Sequence, residues 1–328
     1  MSILILTHAE VEQLLPMEEC IDVMAEALAA LAQGQVHQPL RMVVHPPDAA
    51  GLLALMPAYK AGAQPAYGLK AVCVFPGNVA KGTDAHQGAV MLFSGESGEL
   101  LALLNASAIT AIRTAAVSAV ATNLLARQDA TDLAIIGTGA QARAHLAAMA
   151  AVRPIKRVRV ASRNFEHARA FADEMTFHVL APIDPVDSVE AAVIGADIIV
   201  TATTAAEPIL KREWIAPGAH INAIGASLPT TREVDTATLA AAGLFVDRRE
   251  STLNESGDYL FALREGAIGP EHIRAEIGEV LLDARPGRMS DDEITLFKSL
   301  GLAVEDLAAA EYVYRTAQQA GVGTWVDF

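Results

Sequence analysis

Cysteine is almost missing: Cys20 and Cys73 are the only two in 328 residues. Two thiols cannot build a disulfide framework or a cysteine-rich zinc site. Both read as small apolar side chains that pack inside. Aromatic residues are scarce at 5%, although apolar residues reach 52%. Alanine supplies much of that fraction, which suits helices packed closely on a sheet. Positive charge is also in short supply, with 24 Lys and Arg against 39 Asp and Glu, for a net charge of -15. Such a surface repels polyanions, so neither nucleic acid nor an anionic membrane is expected as a partner. Long uncharged runs are missing too. The longest weakly polar stretch, residues 100–126, is broken by Arg113, whereas a membrane helix needs roughly 18 apolar residues with few or no charges. No spanning segment is expected. The start, Met1-Ser2-Ile3-Leu4-Ile5-Leu6-Thr7, has no basic residues, so a cytoplasmic location is expected. The histidines show no metal-ligand spacing with cysteine or carboxylates, no metal is expected, and no nucleophile elbow occurs.

At about 150 residues per domain, the length suggests two domains. Pro16 opens a helix in which Met17, Cys20, Ile21, Met24, Leu28 and Leu31 recur at helical spacing until Gly34. Short strands are expected at 41–45, 52–56, 69–75, 88–93 and 100–104, with Pro and Gly clusters between them. The leading third is thus mostly β. A helical period follows over 108–126. Beyond Thr131 strand and helix alternate, which predicts a parallel sheet covered on both faces. A last helix, 304–320, ends at Gly321 and is expected to return to the first domain.

The clearest motif is a turn. Leu133-Ala134-Ile135-Ile136 is a continuous apolar run, as a central parallel strand requires. It leads into Gly137-Thr138-Gly139-Ala140-Gln141-Ala142 and a helix from Gln141 to Val152. Gly137 permits a tight turn, Gly139 lets backbone approach a pyrophosphate, and Ala142 allows close helix packing. The helix N-terminus then offers N–H groups to the phosphates. At the end of the next strand, 158–161, NAD-selective proteins place a carboxylate for the ribose hydroxyls. Here that position reads Ser162-Arg163-Asn164, and Arg163 can pair with a 2′-phosphate. NADP(H) is therefore the preferred cofactor, with NAD(H) second.

Three cations stand out near apolar segments. Arg113 shares a helical face with Ile109, Ala116, Val117 and Val120; an arginine buried there needs a partner, supplied by an anionic ligand or a structural ion pair. Lys70 lies between apolar residues of a strand with Val72 and Val74. It is either desolvated, with a pKa lowered toward that of a useful proton donor, or on an edge facing water. Arg41 heads a strand with Val43 and His45. Three such cations beside a nicotinamide would suit a small carboxylate substrate. His86 and Gln87 are expected in a loop, and Glu255 lies in Asn254-Glu255-Ser256-Gly257-Asp258, which reads as a helix start.

Several separated segments resemble the ornithine cyclodeaminase/mu-crystallin family over essentially the whole length. They are Gln38-Pro39-Leu40-Arg41, Leu55-Met56-Pro57-Ala58-Tyr59, Arg113-Thr114-Ala115-Ala116-Val117-Ser118-Ala119 and Phe297-Lys298-Ser299-Leu300-Gly301. The likeness is greatest to the family's ketimine reductases, through Glu207-Pro208-Ile209-Leu210, the segment from Pro217 to Ala223, and Gly225-Ala226-Ser227. This resemblance implies a Rossmann domain with a doubly wound parallel sheet and a mostly β domain that binds substrate and forms a homodimer. The boundaries expected are 1–112 with 303–328 for the substrate domain and 113–302 for the dinucleotide domain.

By position, the resemblance puts Arg41, Lys70 and Arg113 at the substrate as catalytic groups, with Met56, Ser227 and Glu255 as further substrate contacts. Cofactor contacts would come from Arg113, Gly137, Gly139, Ala140, Gln141, Ser162, Arg163, Asn164, Thr203, Thr204, Ile224 and Ser299. Ser227 stands where cyclodeaminases and related alanine dehydrogenases carry an aspartate, which argues against ornithine cyclisation. Leu228 stands where the ketimine reductases resembled here carry arginine, and Ala85 replaces a serine. The expected reaction is NADPH-dependent reduction of an α-imino carboxylate, such as Δ1-pyrroline-2-carboxylate or Δ1-piperideine-2-carboxylate, to the L-amino acid. The alternatives are ornithine or lysine cyclodeamination, reductive amination like that of alanine dehydrogenase, and ligand binding without turnover.

Overall fold

The computed structural model describes residues 2–328. The chain forms two compact units, Met1–Arg113 with Gly301–Phe328, and Thr114–Leu300. The first begins with strand β1 (Ser2–Leu6), helix α1 (His8–Leu14) and helix α2 (Met17–Ala32). Thr7 caps α1 in a capping box with Glu10. Strands β2 (Val36–His37), β3 (Met42–Val44), β4 (Leu52–Lys60), β5 (Ala66–Val74), β6 (His86–Ser94) and β7 (Leu100–Asn105) follow.

Most of these strands are longer than their apolar cores suggest, because hairpin pairing carries the ladder into polar residues. His86 and Gln87 accordingly open β6, opposite Val74 and Cys73, instead of lying in a loop. Arg41, in turn, sits just outside β3. Cys20 is buried, but Cys73 is only half-buried, against the expectation for it.

Helix α3 (Ala106–Leu125) contains the boundary between the units. By length and composition it could cross a membrane, with a mean hydropathy of 1.4, contrary to the sequence expectation. One arginine in twenty residues does not bring the average down far enough. Since 72% of its most apolar window is buried within the molecule, it is placed as a core helix.

The second unit continues with β8 (Asp132–Ile136), α4 (Ala140–Val152), β9 (Arg157–Ala161), α5 (Phe165–Met175), β10 (Ile183–Val186), α6 (Val189–Val193), β11 (Ile198–Thr201) and β12 (His220–Ala223). Then come α7 (Thr236–Ala241), β13 (Gly243–Val246), α8 (Arg249–Glu255), α9 (Gly257–Arg264), β14 (Ile273–Glu276), α10 (Ile277–Leu281) and β15 (Thr295–Lys298). The eight strands lie in the order β10-β9-β8-β11-β12-β15-β13-β14, every pair parallel. Chain direction reverses across the sheet at β8 and β11, the switch point where a doubly wound sheet binds ligands beyond its strand ends. All four residues of β11, β12, β13 and β15 are buried, as a sheet covered on both faces demands.

The chain ends with α11 (Ala303–Ala320) and β16 (Thr324–Asp327), and both belong to the first unit. Gly321 takes the left-handed conformation that stops α11, at φ 65°. The first sheet runs β16-β1-β7-β6-β5-β4-β2, with β3 also on β4. Helix α11 packs on β4, β5 and β6 and against α2. Gly68 admits it there, since a Cβ at that position would lie 3.0 Å from Leu307.

Candidate active site

In the first unit, chemistry gathers where β5 passes under the first turn of α11. β5 is an interior strand, so Lys70 points at α11 and not at water; it is 3% exposed. Its Nζ donates to Asp306 Oδ1 at 3.0 Å, lies 2.7 Å from Oδ2, and reaches Thr110 Oγ1 at 3.4 Å. Burial pushes the Lys70 ammonium down to about 8, with Arg113 and Arg41 adding to the fall and Asp306 opposing it. Burial alone would raise Asp306, but the charges of Arg113 and Lys70 hold it below the ordinary carboxylate range. Met56 is buried directly opposite Lys70 on β4.

Arg113, also 3% exposed, is held by Glu305 through Nη1 at 2.6 Å and by Asp306 through Nε at 3.0 Å. Gly301 leaves room for it, since a Cβ at Gly301 would fall 2.6 Å from its guanidinium. Arg41 donates to the Gly301 carbonyl at 3.2 Å, so it too reaches the start of α11. Gln38 accepts from the Val304 amide at 2.8 Å and thereby anchors the turn that carries both acids. His86 is half-buried and held below its ordinary value by burial, with Lys70 and Arg113 contributing to the shift. Cys20 is pushed up to about 12 by burial, so its thiol stays protonated and unreactive.

Asp306 and Glu305 are not legible as site residues in the sequence. Adjacent acids in a helix's first turn look like ordinary complements to its dipole. The signal available was their place just after Phe297-Lys298-Ser299-Leu300-Gly301, on a helix expected to return to the first domain.

In the second unit, the sites expected for a dinucleotide lie at the C-terminal ends of parallel strands. Gly137 has φ 116°, and a Cβ there would lie 2.3 Å from the Ala202 carbonyl, so only glycine fits against the loop after β11. Gly139 caps α4 without a side-chain bond to the helix, and a Cβ there would meet nothing within 4 Å. The first-turn amides of α4 and that open space form a cradle suited to a pyrophosphate. Arg143 donates to the Thr138 carbonyl and braces the turn. Ala140 is exposed and Gln141 half-buried beside it. His145, pushed down to about 4 by burial and therefore neutral, pairs with the Gln141 carbonyl at 2.7 Å and Ser118 Oγ at 2.9 Å.

After β9, Ser162 is half-buried and Arg163 exposed, and Asn164 caps α5 by accepting from the Glu166 amide. Thr203 and Thr204 follow β11, Ile224 and Ser227 follow β12, and Ser299 follows β15. Ser299 Oγ is buried with no hydrogen-bond partner among the described residues, as expected of a donor awaiting a ligand. The cradle at Gly139 and this orphaned hydroxyl fit a dinucleotide. Glu255 ends α8, while Ser256 caps α9 by accepting from the Tyr259 amide, so the helix start in that motif belongs to Ser256. Among the described residues no group of three or more His, Cys, Asp or Glu could hold a metal ion.

The family model for ornithine cyclodeaminase/mu-crystallin proteins matches residues 1–321. The chain belongs to that family. Mouse ketimine reductase mu-crystallin is 45% identical over 281 residues, covering 86% of this chain and 85% of its own. Among solved structures, Thermococcus litoralis Δ1-pyrroline-2-carboxylate reductase in complex with NADH and L-proline superposes with a TM-score of 0.95 at 39% identity. The match covers 98% of this chain and 99% of that one. An archaeal alanine dehydrogenase dimer with bound NAD gives a TM-score of 0.92 at 36% identity, with both chains fully covered.

Family membership gives its signature segments physical reasons in this structure. Gln38 and Arg41 reach the start of α11, and Gly301 makes room for Arg113. Lys298 is 1% exposed and forms an ion pair with Asp258 at 3.0 Å.

Proposed function

We propose that this chain reduces a cyclic α-imino carboxylate to the L-amino acid with a reduced nicotinamide dinucleotide, NADPH in preference to NADH. The observation that carries the reading is the buried Lys70, with a pKa near 8 and Arg41 and Arg113 beside it in the same unit. Lys70 and Arg113 meet the carboxylates of Asp306 and Glu305, and Arg41 donates to the Gly301 carbonyl at the start of the same helix. Arg41 and Arg113 would hold the carboxylate, and Met56 would line the ring's side. Lys70 would donate a proton to the imine nitrogen and keep it cationic, so that the adjacent carbon is electrophilic. Gly137, Gly139, Ala140, Gln141, Thr203, Thr204, Ile224 and Ser299 would hold the dinucleotide, whose nicotinamide supplies a hydride to that carbon.

Arg163 supports the choice of NADPH: it is exposed, and no carboxylate stands beside it at the end of β9 to repel a 2′-phosphate. Ser227, where a cyclodeaminase would carry aspartate, supports reduction over ammonia loss. The archaeal relative supports a homodimer as the working form.

The test is oxidation of NADPH and NADH across Δ1-pyrroline-2-carboxylate, Δ1-piperideine-2-carboxylate, iminosuccinate, and pyruvate with ammonia or methylamine. The cyclic ketimines should show the highest kcat/KM, with a lower KM for NADPH that Arg163→Asp reverses. Ammonia release from ornithine without net consumption of NADPH would establish a lyase instead.

A further inference from the structure

Glu233 is fully buried in the second unit, on the segment before α7, and it takes no part in the chemistry described above. Its Oε1 accepts from the Thr203 amide at 2.7 Å and the Thr203 hydroxyl at 2.6 Å. Its Oε2 accepts from the Gly225 amide at 2.6 Å and the Thr201 hydroxyl at 2.9 Å. One carboxylate thus ties the loop after β11 to the loop after β12.

Two of the four donors are backbone amides, one on each oxygen, and an amide can only donate. Both oxygens must therefore act as acceptors, a condition a glutamine cannot meet. Burial pushes the Glu233 pKa up, while the Thr203 hydrogen bonds and the charge of Lys298 pull against that rise. Gly225 has no room for a side chain, since a Cβ there would lie 2.2 Å from the Thr203 carbonyl and 2.5 Å from Glu233.

Glu233 is itself held in place. Its amide and that of Val234 donate to Asp258 Oδ1 at 2.8 and 3.0 Å. Asp258 Oδ2 pairs with Lys298 at 3.0 Å, and Lys298 donates to the Ala223 carbonyl, where β12 ends, at 3.2 Å.

Strand order indicates what these loops serve. The turn after β8 would carry the pyrophosphate. On one side of it, β9 presents Ser162-Arg163-Asn164 to the adenosine ribose. On the other side lie β11 and β12, so their loops face the nicotinamide half.

We propose that Glu233 is a positioning residue that fixes the loops after β11 and β12 against the nicotinamide half of the cofactor, leaving the adenosine half to the turn after β8. This inference rests on the dinucleotide reading above. It is tested by binding, without turnover. The reduced dinucleotide that the wild-type protein binds more tightly, NADH or NADPH, is titrated by fluorescence, and ADP-ribose or its 2′-phosphate, which lacks nicotinamide, by calorimetry.

Glu233→Gln should raise the Kd of the dinucleotide at least tenfold and change that of the ADP-ribose compound less than twofold. Thr201→Val removes only one of the four donors, at a residue not assigned to the cofactor. It should give a roughly threefold loss in the same direction, and it carries the test if Glu233→Gln does not fold. Equal losses for both ligands would mean a merely structural role, and no loss for the dinucleotide would mean no role at all; either overturns the proposal. Wild-type protein that binds neither ligand would instead bring down the dinucleotide reading.

Discussion

Lys70 illustrates how a single position acquires its chemistry. A lysine in water stays protonated to high pH, but here burial brings the ammonium to about 8, and the charge and hydrogen bond of Asp306 keep it from falling further. As the proposed proton donor, Lys70 must be charged, so kcat/KM for the imine should hold below pH 8 and fall tenfold per unit above it. Lys70→Met should lower kcat by about 100-fold or more and abolish that alkaline limb. Asp306→Asn removes the charge that supports the ammonium. The limb should then move below pH 8, and breaking the buried pair should lower stability by about 3–5 kcal/mol. A pH–rate profile with a denaturant melt of each variant checks both points; an unshifted limb in Asp306→Asn would falsify the coupling. Lys70 and Arg113 already stood out in the sequence as charges on apolar segments, and both are buried. Their partners did not stand out, because Asp306 lies 236 residues away from Lys70 and pattern reading has no access to such a distance.

At the level of elements, the turn between β8 and α4 contains two glycines that do different work. Gly137 is forced by its φ of 116° and by the Ala202 carbonyl, so Gly137→Ala should cost about 1–3 kcal/mol in stability. Gly139 meets neither restriction, with φ -81° and open space beyond it. Gly139→Val should lower Tm less than Gly137→Ala does, yet weaken dinucleotide binding tenfold or more by filling the space a phosphate would take. Thermal melts and NADPH titrations of both variants separate the two effects, and equal Tm losses would contradict the assignment. This turn was readable in advance because its strand, glycines and helix are contiguous. Strand ends are less legible: hairpin pairing extends β4, β5 and β6 beyond their apolar cores and draws His86 and Gln87 into a strand.

For the molecule as a whole, the first sheet has one face covered by α11 and an opposite face. Pro57, Leu69, Met91 and Leu103 form a row across β4, β5, β6 and β7 on that second face, each only half-buried. A half-exposed apolar row of this kind invites a partner, and the proposed homodimer would cover it. Light scattering should give twice the 34.5 kDa chain mass, and Leu69→Lys with Met91→Glu should give one. A wild-type monomer would refute this arrangement.

Local order was already written into the amino-acid string. The switch from β to alternating β and α, the glycine turn, the missing carboxylate after Ala161 and the cations on apolar segments all arise from neighbours a few residues apart. The partners of the buried charges came only with the fold: Lys70 and Arg113 for Asp306, and the Thr203 and Gly225 donors for Glu233. A buried charge is tolerated only where an opposite charge or a set of donors meets it. The chain satisfies that condition by bringing α11 back to β5 and the segment before α7 to the ends of β11 and β12.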